Sequence, residues 1–246
     1  MKDIGTRMKE YESASSTVLT RRTPTIIRLD GKAFHTYTKQ LERPYCFRLH
    51  ELMCSTAMFL CGQIQNAVFA YTQSDEISIL MAPYKKLTTE PWFDNKVQKI
   101  VSVAASMCSV YFTEHSNKLF DEERKPAYFD ARVFVLPDAE VCNYFVWRQQ
   151  DAVRNSIQML AQSLYSQKQL HRKDTNEMQE MCWNQGKNWN DVPTRLKRGA
   201  AIYYRPGGTE QLPGWCCDLE TPTFTKDRDY VEKHMIFDEE EGNDMK

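Results

Sequence analysis

Residues 25–137 alternate between short apolar runs and longer stretches with helical spacing. Short apolar runs rich in β-branched residues indicate strands, whereas apolar residues recurring every three or four positions indicate helices. The resulting order, β-α-β-β-α-β, predicts an α+β fold of the ferredoxin-like type, an antiparallel sheet with two helices on one face. The predicted segments are a strand at 25–30, a helix at about 45–63, a hairpin whose strands flank Gln73–Glu76, a helix from Trp92 to His115 and a strand at 129–137.

The remaining segments extend this core at both ends. A short helix is predicted near the N-terminus, one or two helices over 139–166, a polar helical region to about Gln185, and a small late β element from "KRGAAIYYRP" and "TPTFTKD". We expect residues 1–137 to form the catalytic core. We expect residues 138–246 to complete the same domain as a helical and small β extension, with an acidic tail at 238–244.

Composition favours a soluble cytoplasmic protein. Hydrophobic residues make up 41% of the chain and charged residues 26%, as in ordinary globular domains. No apolar run approaches the ~20 residues of a membrane span, and no secretory signal is visible. None of the eight cysteines forms a CxxC pair, so we expect reduced thiols and neither disulfides nor zinc sites.

The charges are unevenly distributed although the net charge is only -1. The acidic tail carries a concentrated negative charge, which leaves the rest of the chain net positive. Short basic clusters occur at 85–86, 96–99, 172–173 and 195–205. This pattern favours a local groove for phosphate groups over a basic coat.

Single carboxylates interrupt two of the predicted strands. Asp30 ends the first strand, and Asp75 with Glu76 lies in the hairpin. Because the first and third strands of this topology are commonly neighbours, these groups can meet at one edge of the sheet. Two such charges ~4 Å apart repel by about 4 kcal/mol at an effective dielectric of 20, so protonation or a divalent cation must neutralise them. The pattern alone also fits ordinary turn chemistry.

Four ordered motifs resemble those of the tRNA-histidine guanylyltransferase family. They are "RLDGKAFHTYT", "YTQSDEISIL", "FDARVFVLP" and "WRQQDAVRNSI". The resemblance runs from the N-terminus to about residue 205, with comparable spacing. It implies a polymerase-type palm that adds nucleotides in the 3′-to-5′ direction at a tRNA 5′ end.

The resemblance also implies the cofactors, substrates and site residues. Two Mg²⁺ ions would be held by Asp30, the carbonyl of Gly31 and Asp75, with Glu76 completing the catalytic motif. ATP and GTP or other NTPs would be substrates, tRNA the partner, and a homotetramer the assembly. Predicted nucleotide or triphosphate contacts are Lys32, Ala33, Phe34, His35, Arg43 and Ser74, of which Phe34 is also a core candidate.

One motif departs from the eukaryotic pattern. The eukaryotic guanylyltransferases carry HINNLYN where this chain has Val153-Arg154-Asn155-Ser156, so Val153 replaces the histidine. This favours the guanylyltransferase-like (Thg1-like) branch, which repairs 5′-truncated tRNAs by template-directed addition. A second departure is Arg43, where the family usually has lysine; both residues are cationic, and we expect the role to survive.

Further cations are candidates for substrate contacts. Lys96 and Lys99 lie three residues apart on the second palm helix and align with residues that bind triphosphate in the family. Arg28 shares a sheet face with Asp30 and could contact phosphate or pair with a carboxylate. Candidate tRNA or nucleotide contacts are Arg148, Asp151, Arg154, Asn155, Lys187 and Arg198.

Other functions remain open from the sequence. Addition of one guanosine to histidine tRNA is an alternative within the family. Another palm nucleotidyltransferase or a nucleotidyl cyclase would also use two carboxylates on this topology. A non-catalytic RNA-binding module is disfavoured, because the candidate strands carry aliphatic residues where such modules display stacking aromatics.

Overall fold

The computed structural model describes residues 2–205 and 214–236; the predicted acidic tail at 238–244 lies outside them. The helices are α1 (Ile4–Ala14), α2 (Phe34–Tyr37), α3 (Phe47–Gln63), α4 (Val97–Phe120), α5 (Asp138–Leu164), α6 (Gln167–Leu170), α7 (Thr175–Asn184), α8 (Thr194–Arg198) and α9 (Asp229–Glu232). The strands are β1 (Thr25–Gly31), β2 (Ala67–Gln73), β3 (Glu76–Met81), β4 (Phe129–Val135), β5 (Ala200–Tyr204) and β6 (Trp215–Asp218). Short 3₁₀ turns cover Trp189–Asp191 and Lys233–Met235, and a turn with left-handed backbone at Phe93 and Asp94 covers Trp92–Asn95.

The strands form a six-stranded sheet in the order β4-β1-β3-β2-β5-β6, and every neighbouring pair is antiparallel. The first four strands reproduce the predicted ferredoxin-like order, with β1 beside β3. The late β element differs from the prediction because β5 pairs with β2 and extends the same sheet. The predicted strand "TPTFTKD" is wrong: the late strand after β5 is β6, which precedes that segment.

Alternation along the strands gives the sheet two apolar faces. Ile27 and Leu29 of β1 belong to the core under α3 and α4, whereas Ile26 belongs to the core under α5. Because successive side chains of a strand point to opposite faces, both faces need a helical cover. The helices α3 and α4 cover one face, as predicted, and α5 covers the other.

The segment after β6 is fixed by side-chain hydrogen bonds rather than by strand pairing, and Gln149 supplies two of them. Gln149 of α5 is buried, its Nε2 donates to the Pro222 carbonyl at 2.8 Å, and its Oε1 accepts from the Phe224 backbone N–H at 2.8 Å. Phe224 is fully buried against the α5 face. Both polar ends of the amide are therefore satisfied while the apolar segment closes that core.

Two further features complete the architecture. The helices α6 and α7 pack on the second half of α5 through a separate apolar cluster that includes Leu160, Met178 and Cys182. The helix α1 buries none of its residues. Within the described part of the chain, no helix has the length and apolar character needed to span a membrane.

Candidate active site

Three carboxylates meet at the end of β1, as the topology predicts. Asp30 pairs across the strands with Glu76, the first residue of β3. Asp75 lies in the tight turn before it, and its carbonyl accepts a hydrogen bond from the Gly31 N–H at 3.1 Å. The turn and the strand end are therefore held together by the backbone, so their side chains share one site.

A fourth carboxylate, Asp130 on β4, was not identified from the sequence. Asp30 pairs with Asp130 on one side and with Glu76 on the other. Directly paired residues of antiparallel strands point to the same face, so Asp130, Asp30 and Glu76 form a row across the three strands. Two residues earlier on β1, and on the same face of the sheet, Arg28 pairs with Arg132 of β4. The antiparallel register of β1 and β4 is the signal that could have revealed Asp130.

Burial and repulsion both destabilise the charged forms of Asp30 and Asp75. Burial raises the pKa of Asp75, and the nearby Asp30 carboxylate raises it further. Burial also raises the pKa of Asp30, with repulsion from Asp130 adding to it and the cations Arg132 and Arg28 opposing it. The site therefore concentrates negative charge that an added cation would stabilise.

The residues present fit a hard divalent cation. In the described part of the chain, no group of three or more His, Cys, Asp and Glu side chains has a metal-binding arrangement. A metal site would therefore consist of the Asp30 and Asp75 carboxylates with a backbone carbonyl such as that of Gly31. These are oxygen donors of the kind that Mg²⁺ prefers.

Gly31 is required by close packing. A Cβ atom built there would lie 2.3 Å from Cδ2 of Phe34, closer than any real contact. Phe34 is itself buried against Phe112 and Phe129, so its ring has little room to move. The absence of a side chain at Gly31 thus lets the backbone pass over the core beside the carboxylates.

The variant Gly31→Ala should therefore unfold at a lower temperature than the unaltered protein and should lose most of the nucleotide addition that the sequence resemblance implies. A displaced Phe34 ring would shift the Gly31 carbonyl, and misplacement of about 1 Å at a reacting centre can cost about 10²-fold in rate. Addition rates and thermal melts measure both effects. Gly62→Ala is the control, because its nearest neighbour, Cδ1 of Trp215, lies 4.0 Å away. Equal effects of the two substitutions would contradict the packing explanation.

A cavity of about 340 Å³ opens beside Asp75. We call it the Asp75 cavity, and its polar lining includes the predicted contacts His35, Arg43 and Ser74 together with Glu42 and Asp75. Ser74 adopts a left-handed backbone conformation with φ 51°, and its side chain hydrogen-bonds Asp75, which lowers the pKa of that acid. The cavity thus combines a carboxylate, a cation and hydroxyl and imidazole groups within reach of one ligand.

The other residues of the first motif differ in their surroundings. Phe34 is 4% exposed and belongs to the apolar core, but it also lines the Asp75 cavity, so it packs the core and its nucleotide contact stays a prediction. Lys32 and Ala33 do not line the Asp75 cavity; they line a second cavity on the other side of α2. The short helix α2 separates the two cavities.

A small recess of about 80 Å³ shares Cys46, Leu49, Ser74 and Met159 with the Asp75 cavity. Its lining also includes His50, Gln73 and Asn155. Burial lowers the pKa of His50 to about 4, so this imidazole is neutral at physiological pH. The sequence did not reveal His50 or Gln73, because single polar residues in apolar helices and strands resemble satisfied core residues.

Arg148 is buried in an ion pair and is not exposed for the predicted RNA contact. Its side chain is 6% exposed, and its Nε lies 2.9 Å from Oε1 of Glu76, an ion pair outside ideal hydrogen-bond alignment. Its Nη2 donates to Asp151 at 2.5 Å. Burial raises the pKa of Glu76, and the Arg148 and Arg28 cations oppose that rise. Arg148 therefore compensates a buried catalytic-site charge.

The ion pairs of Glu76, Arg148 and Asp151 continue to an exposed residue on α5. Asp151 also pairs with Arg154, whose side chain is 58% exposed, and Nδ2 of Asn155 lies 3.5 Å from Asp151. Arg154 remains placed for a substrate contact. Trp147 is half-exposed and lies under the Arg28 guanidinium, 5.7 Å from Cζ to the ring centre.

The other predicted cations divide between exposed and engaged positions. Lys187 is exposed after α7. The Arg198 guanidinium is half-buried and donates to the Thr223 hydroxyl at 2.8 Å, so it stabilises the late segment and is not free for RNA.

Lys96 and Lys99 are not near the carboxylates of the same chain. Lys96 precedes α4 instead of lying within it, and it pairs with Asp94 at 3.6 Å. Ser109 of α4 marks the position of the site along that helix, because its hydroxyl accepts a hydrogen bond from the N–H of Phe129, the β4 residue that pairs with Gly31. Lys99 lies ten residues before Ser109 on the same helix. At 1.5 Å per residue, Lys99 lies about 15 Å from that level. The structure therefore does not bring these two lysines to the carboxylates of the same chain, and triphosphate binding by them stays a prediction.

Comparison with known proteins identifies the family. A family model described as tRNAHis guanylyltransferase matches residues 5–137. The chain belongs to the tRNA-histidine guanylyltransferase family. Members of this family are nucleotidyltransferases, and the match includes the three motifs that carry Asp30, Asp75 and Asp130.

Solved and curated relatives agree with this assignment. A bacterial tRNA(His) guanylyltransferase-like protein solved with ATP is 44% identical, with a TM-score of 0.89, and the match covers 96% of this chain and 100% of that chain. A bacterial protein of the same description solved with GTP is 41% identical, with a TM-score of 0.80 and the same coverage. The tRNA(His) guanylyltransferase of Debaryomyces hansenii is 35% identical over 54% of this chain and 51% of that protein. The guanylyltransferase fold thus extends over nearly the whole chain.

Proposed function

We propose that this chain repairs 5′-truncated tRNAs by template-directed addition of nucleotides in the 3′-to-5′ direction. The observation that carries this proposal is Val153, which replaces the histidine of the eukaryotic guanylyltransferase motif. Val153 packs against the apolar cluster beneath α5, so its position supplies no imidazole to a substrate. The similarity to bacterial guanylyltransferase-like proteins over 96% of the chain supports the same branch.

The reaction proceeds in two displacements at phosphorus. An oxygen of the RNA 5′-monophosphate attacks the α-phosphorus of ATP, and pyrophosphate leaves. The 3′-hydroxyl oxygen of the incoming NTP then attacks the activated 5′-phosphorus, its proton is lost, and AMP leaves. The RNA gains one nucleotide with a 5′-triphosphate, and positioning and charge stabilisation supply most of the catalysis.

The residues at the end of β1 have separate roles in this scheme. Asp30, Asp75 and the Gly31 carbonyl would hold Mg²⁺, which supplies charge neutralisation and activation of a hydroxyl nucleophile when bound. Arg43, His35 and Ser74 bind and orient the triphosphate in the Asp75 cavity. Glu76 maintains the shape of the site through its ion pair with Arg148. The solved complexes of the bacterial relatives with ATP and GTP support nucleotide binding here.

The expected self-association has support from α1. Ile4, Met8 and Tyr11 form a stripe on this helix and are 70%, 51% and 75% exposed. An isolated 11-residue helix is marginal in water, so a covering partner would stabilise it. This is consistent with the homotetramer that the family resemblance implies. The proposed location of the protein is the cytoplasm.

The test uses a 5′-monophosphorylated tRNA that lacks its first nucleotide, with ATP, MgCl₂ and all four NTPs. The added base should complement the opposing base of the acceptor strand and should change when that base is changed. Asp75→Ala is the inactive control. Addition of guanosine whatever the opposing base, to full-length histidine tRNA, would assign the guanosine-adding role instead. No extension of either RNA would contradict a polymerase function and favour a cyclase, which makes cyclic nucleotide without RNA.

A further inference from the structure

A second cavity lies on the other side of α2 from the Asp75 cavity. It has a volume of about 550 Å³ and lies between α2 and residues 122–126, which precede β4. His35 and Thr38 face the Asp75 cavity, whereas Thr36 and Tyr37 face this one. We call it the basic cavity because Lys32, Lys39, Arg124 and Lys125 line it.

Three of these cations are free to meet a ligand. Lys32, Lys39 and Lys125 are exposed, and none of them forms an ion pair with another described residue. Arg124 differs, because its guanidinium stacks between the rings of Tyr37 and Phe120, with Cζ 4.9 Å and 4.7 Å from the ring centres, and pairs with Glu122. Arg124 is thus held by its neighbours, whereas the three lysines present exposed side chains to the same cavity. Glu123 is the remaining acid in the lining, so the cavity keeps a positive balance.

The lining of the basic cavity begins two residues after Asp30 in the chain. Lys32 follows Asp30 and Gly31, and its backbone N–H donates to the Tyr128 carbonyl at 2.8 Å. The Lys32 ammonium lies 5.9 Å from the centre of the Tyr128 ring, which is 58% exposed. Free lysines beside an exposed aromatic ring are the combination that binds the backbone and bases of single-stranded nucleic acid.

The two reactants of an in-line displacement approach phosphorus from different directions. The Asp75 cavity has Ser74, His35 and Arg43 for a nucleotide triphosphate. The basic cavity lies on the opposite side of α2 and is bounded by residues 122–126 instead of the β2–β3 turn. Spaced cations suit a ligand with repeating single charges, which is the chemistry of an RNA strand.

We propose that the basic cavity binds the backbone phosphates of the substrate RNA next to its 5′ end, with Lys39 and Lys125 as the phosphate contacts and Tyr128 as a stacking surface for a terminal base. This inference rests on the proposed function. It adds the path by which the RNA reaches Asp30.

The test compares two double variants with the same loss of charge. Lys39→Gln/Lys125→Gln removes the proposed contacts. Lys9→Gln/Lys226→Gln removes two exposed lysines on α1 and after β6, which no ion pair holds in the described structure. Binding of a fluorescently labelled tRNA lacking its first nucleotide is measured by anisotropy, without NTPs, between 50 and about 200 mM KCl. The association constant K falls as the KCl concentration rises. Each lost phosphate contact should make the negative slope of log K against log[KCl] shallower by about 0.7–0.9.

We expect the first double variant to lower the slope by about 1.4–1.8 and to weaken binding about tenfold or more at the lowest salt concentration. The KM for ATP should stay unchanged, because the Asp75 cavity is intact. A slope equal to that of the Lys9→Gln/Lys226→Gln protein would overturn the inference. Because the readout is binding, it is independent of catalysis: an unaltered protein that binds RNA but never extends it would contradict only the proposed function, and the slopes would still decide the RNA path. Failure of the unaltered protein to bind RNA would overturn both.

Discussion

Replacing Asp75 with asparagine should abolish nucleotide addition while making the metal-free protein more stable. Activity should fall by about 10³-fold or more, because a bound metal contributes several kcal/mol of charge stabilisation and each 1.36 kcal/mol is tenfold in rate. Stability should rise because the amide removes a buried charge that Asp30 repels. In a domain of this size, each kcal/mol of relieved repulsion raises the melting temperature by about 2–4 °C.

Magnesium should reverse that order of stability. A ligand that binds only the folded state stabilises it by mass action, so MgCl₂ should raise the melting temperature of the unaltered protein and leave that of Asp75→Asn nearly constant. Asp121→Asn, an exposed substitution at the end of α4, should behave like the unaltered protein. If Asp75→Asn responded to MgCl₂ as strongly as the unaltered protein, Asp75 would not be a metal ligand.

Replacing Arg148 with methionine should destabilise the protein by about 3–5 kcal/mol, the typical cost of leaving one member of a buried ion pair uncompensated. The melting temperature should fall by roughly 10 °C. The loss should be smaller in acid: without Arg148 the pKa of Glu76 rises further, and protonation then removes the uncompensated charge. The deficit is therefore largest at neutral pH and shrinks as the pH is lowered.

Two comparisons isolate the ion pair. Arg154→Met removes a guanidinium that also binds Asp151 but is mostly exposed, so it should cost at most about 1 kcal/mol. The double variant Glu76→Gln/Arg148→Met should be more stable than the sum of the two single effects predicts, because neither charge remains alone. Additive effects, or an Arg154→Met loss as large as that of Arg148→Met, would contradict the compensating role.

Local patterns predicted the elements and the meeting of the carboxylates. Apolar periodicity located β1, α3, the hairpin and β4, and the topology placed β1 beside β3. The pairing of β5 with β2 was not predictable, because it joins segments far apart in the chain and neither strand carries a local signal for its partner. The same limit hid Asp130, whose importance comes from its register opposite Asp30.

Charged residues were the least predictable part of the site. Arg148 and Arg154 are both cations on α5, but only the packing of that helix on the sheet shows that one is buried beside Glu76. Lys96 and Lys99 resembled site residues because of the family alignment, yet the direction in which α4 crosses the sheet carries them to its other end. Helical spacing identifies a face of a helix and not the partner that the face contacts.

The pairing of β5 with β2 also affects how the chain acquires its fold. Thr72 pairs with Ala200, so a ribosome must synthesise most of the chain before the edge of β2 is covered. The nascent chain up to β4 already contains Asp30, Asp75 and Asp130 but exposes an unpaired strand edge, which promotes aggregation. Such long-range pairing slows folding. The segment that the family model matches therefore leaves the β2 edge uncovered, and protein production should favour conditions that keep the incomplete chain soluble until β5 is made.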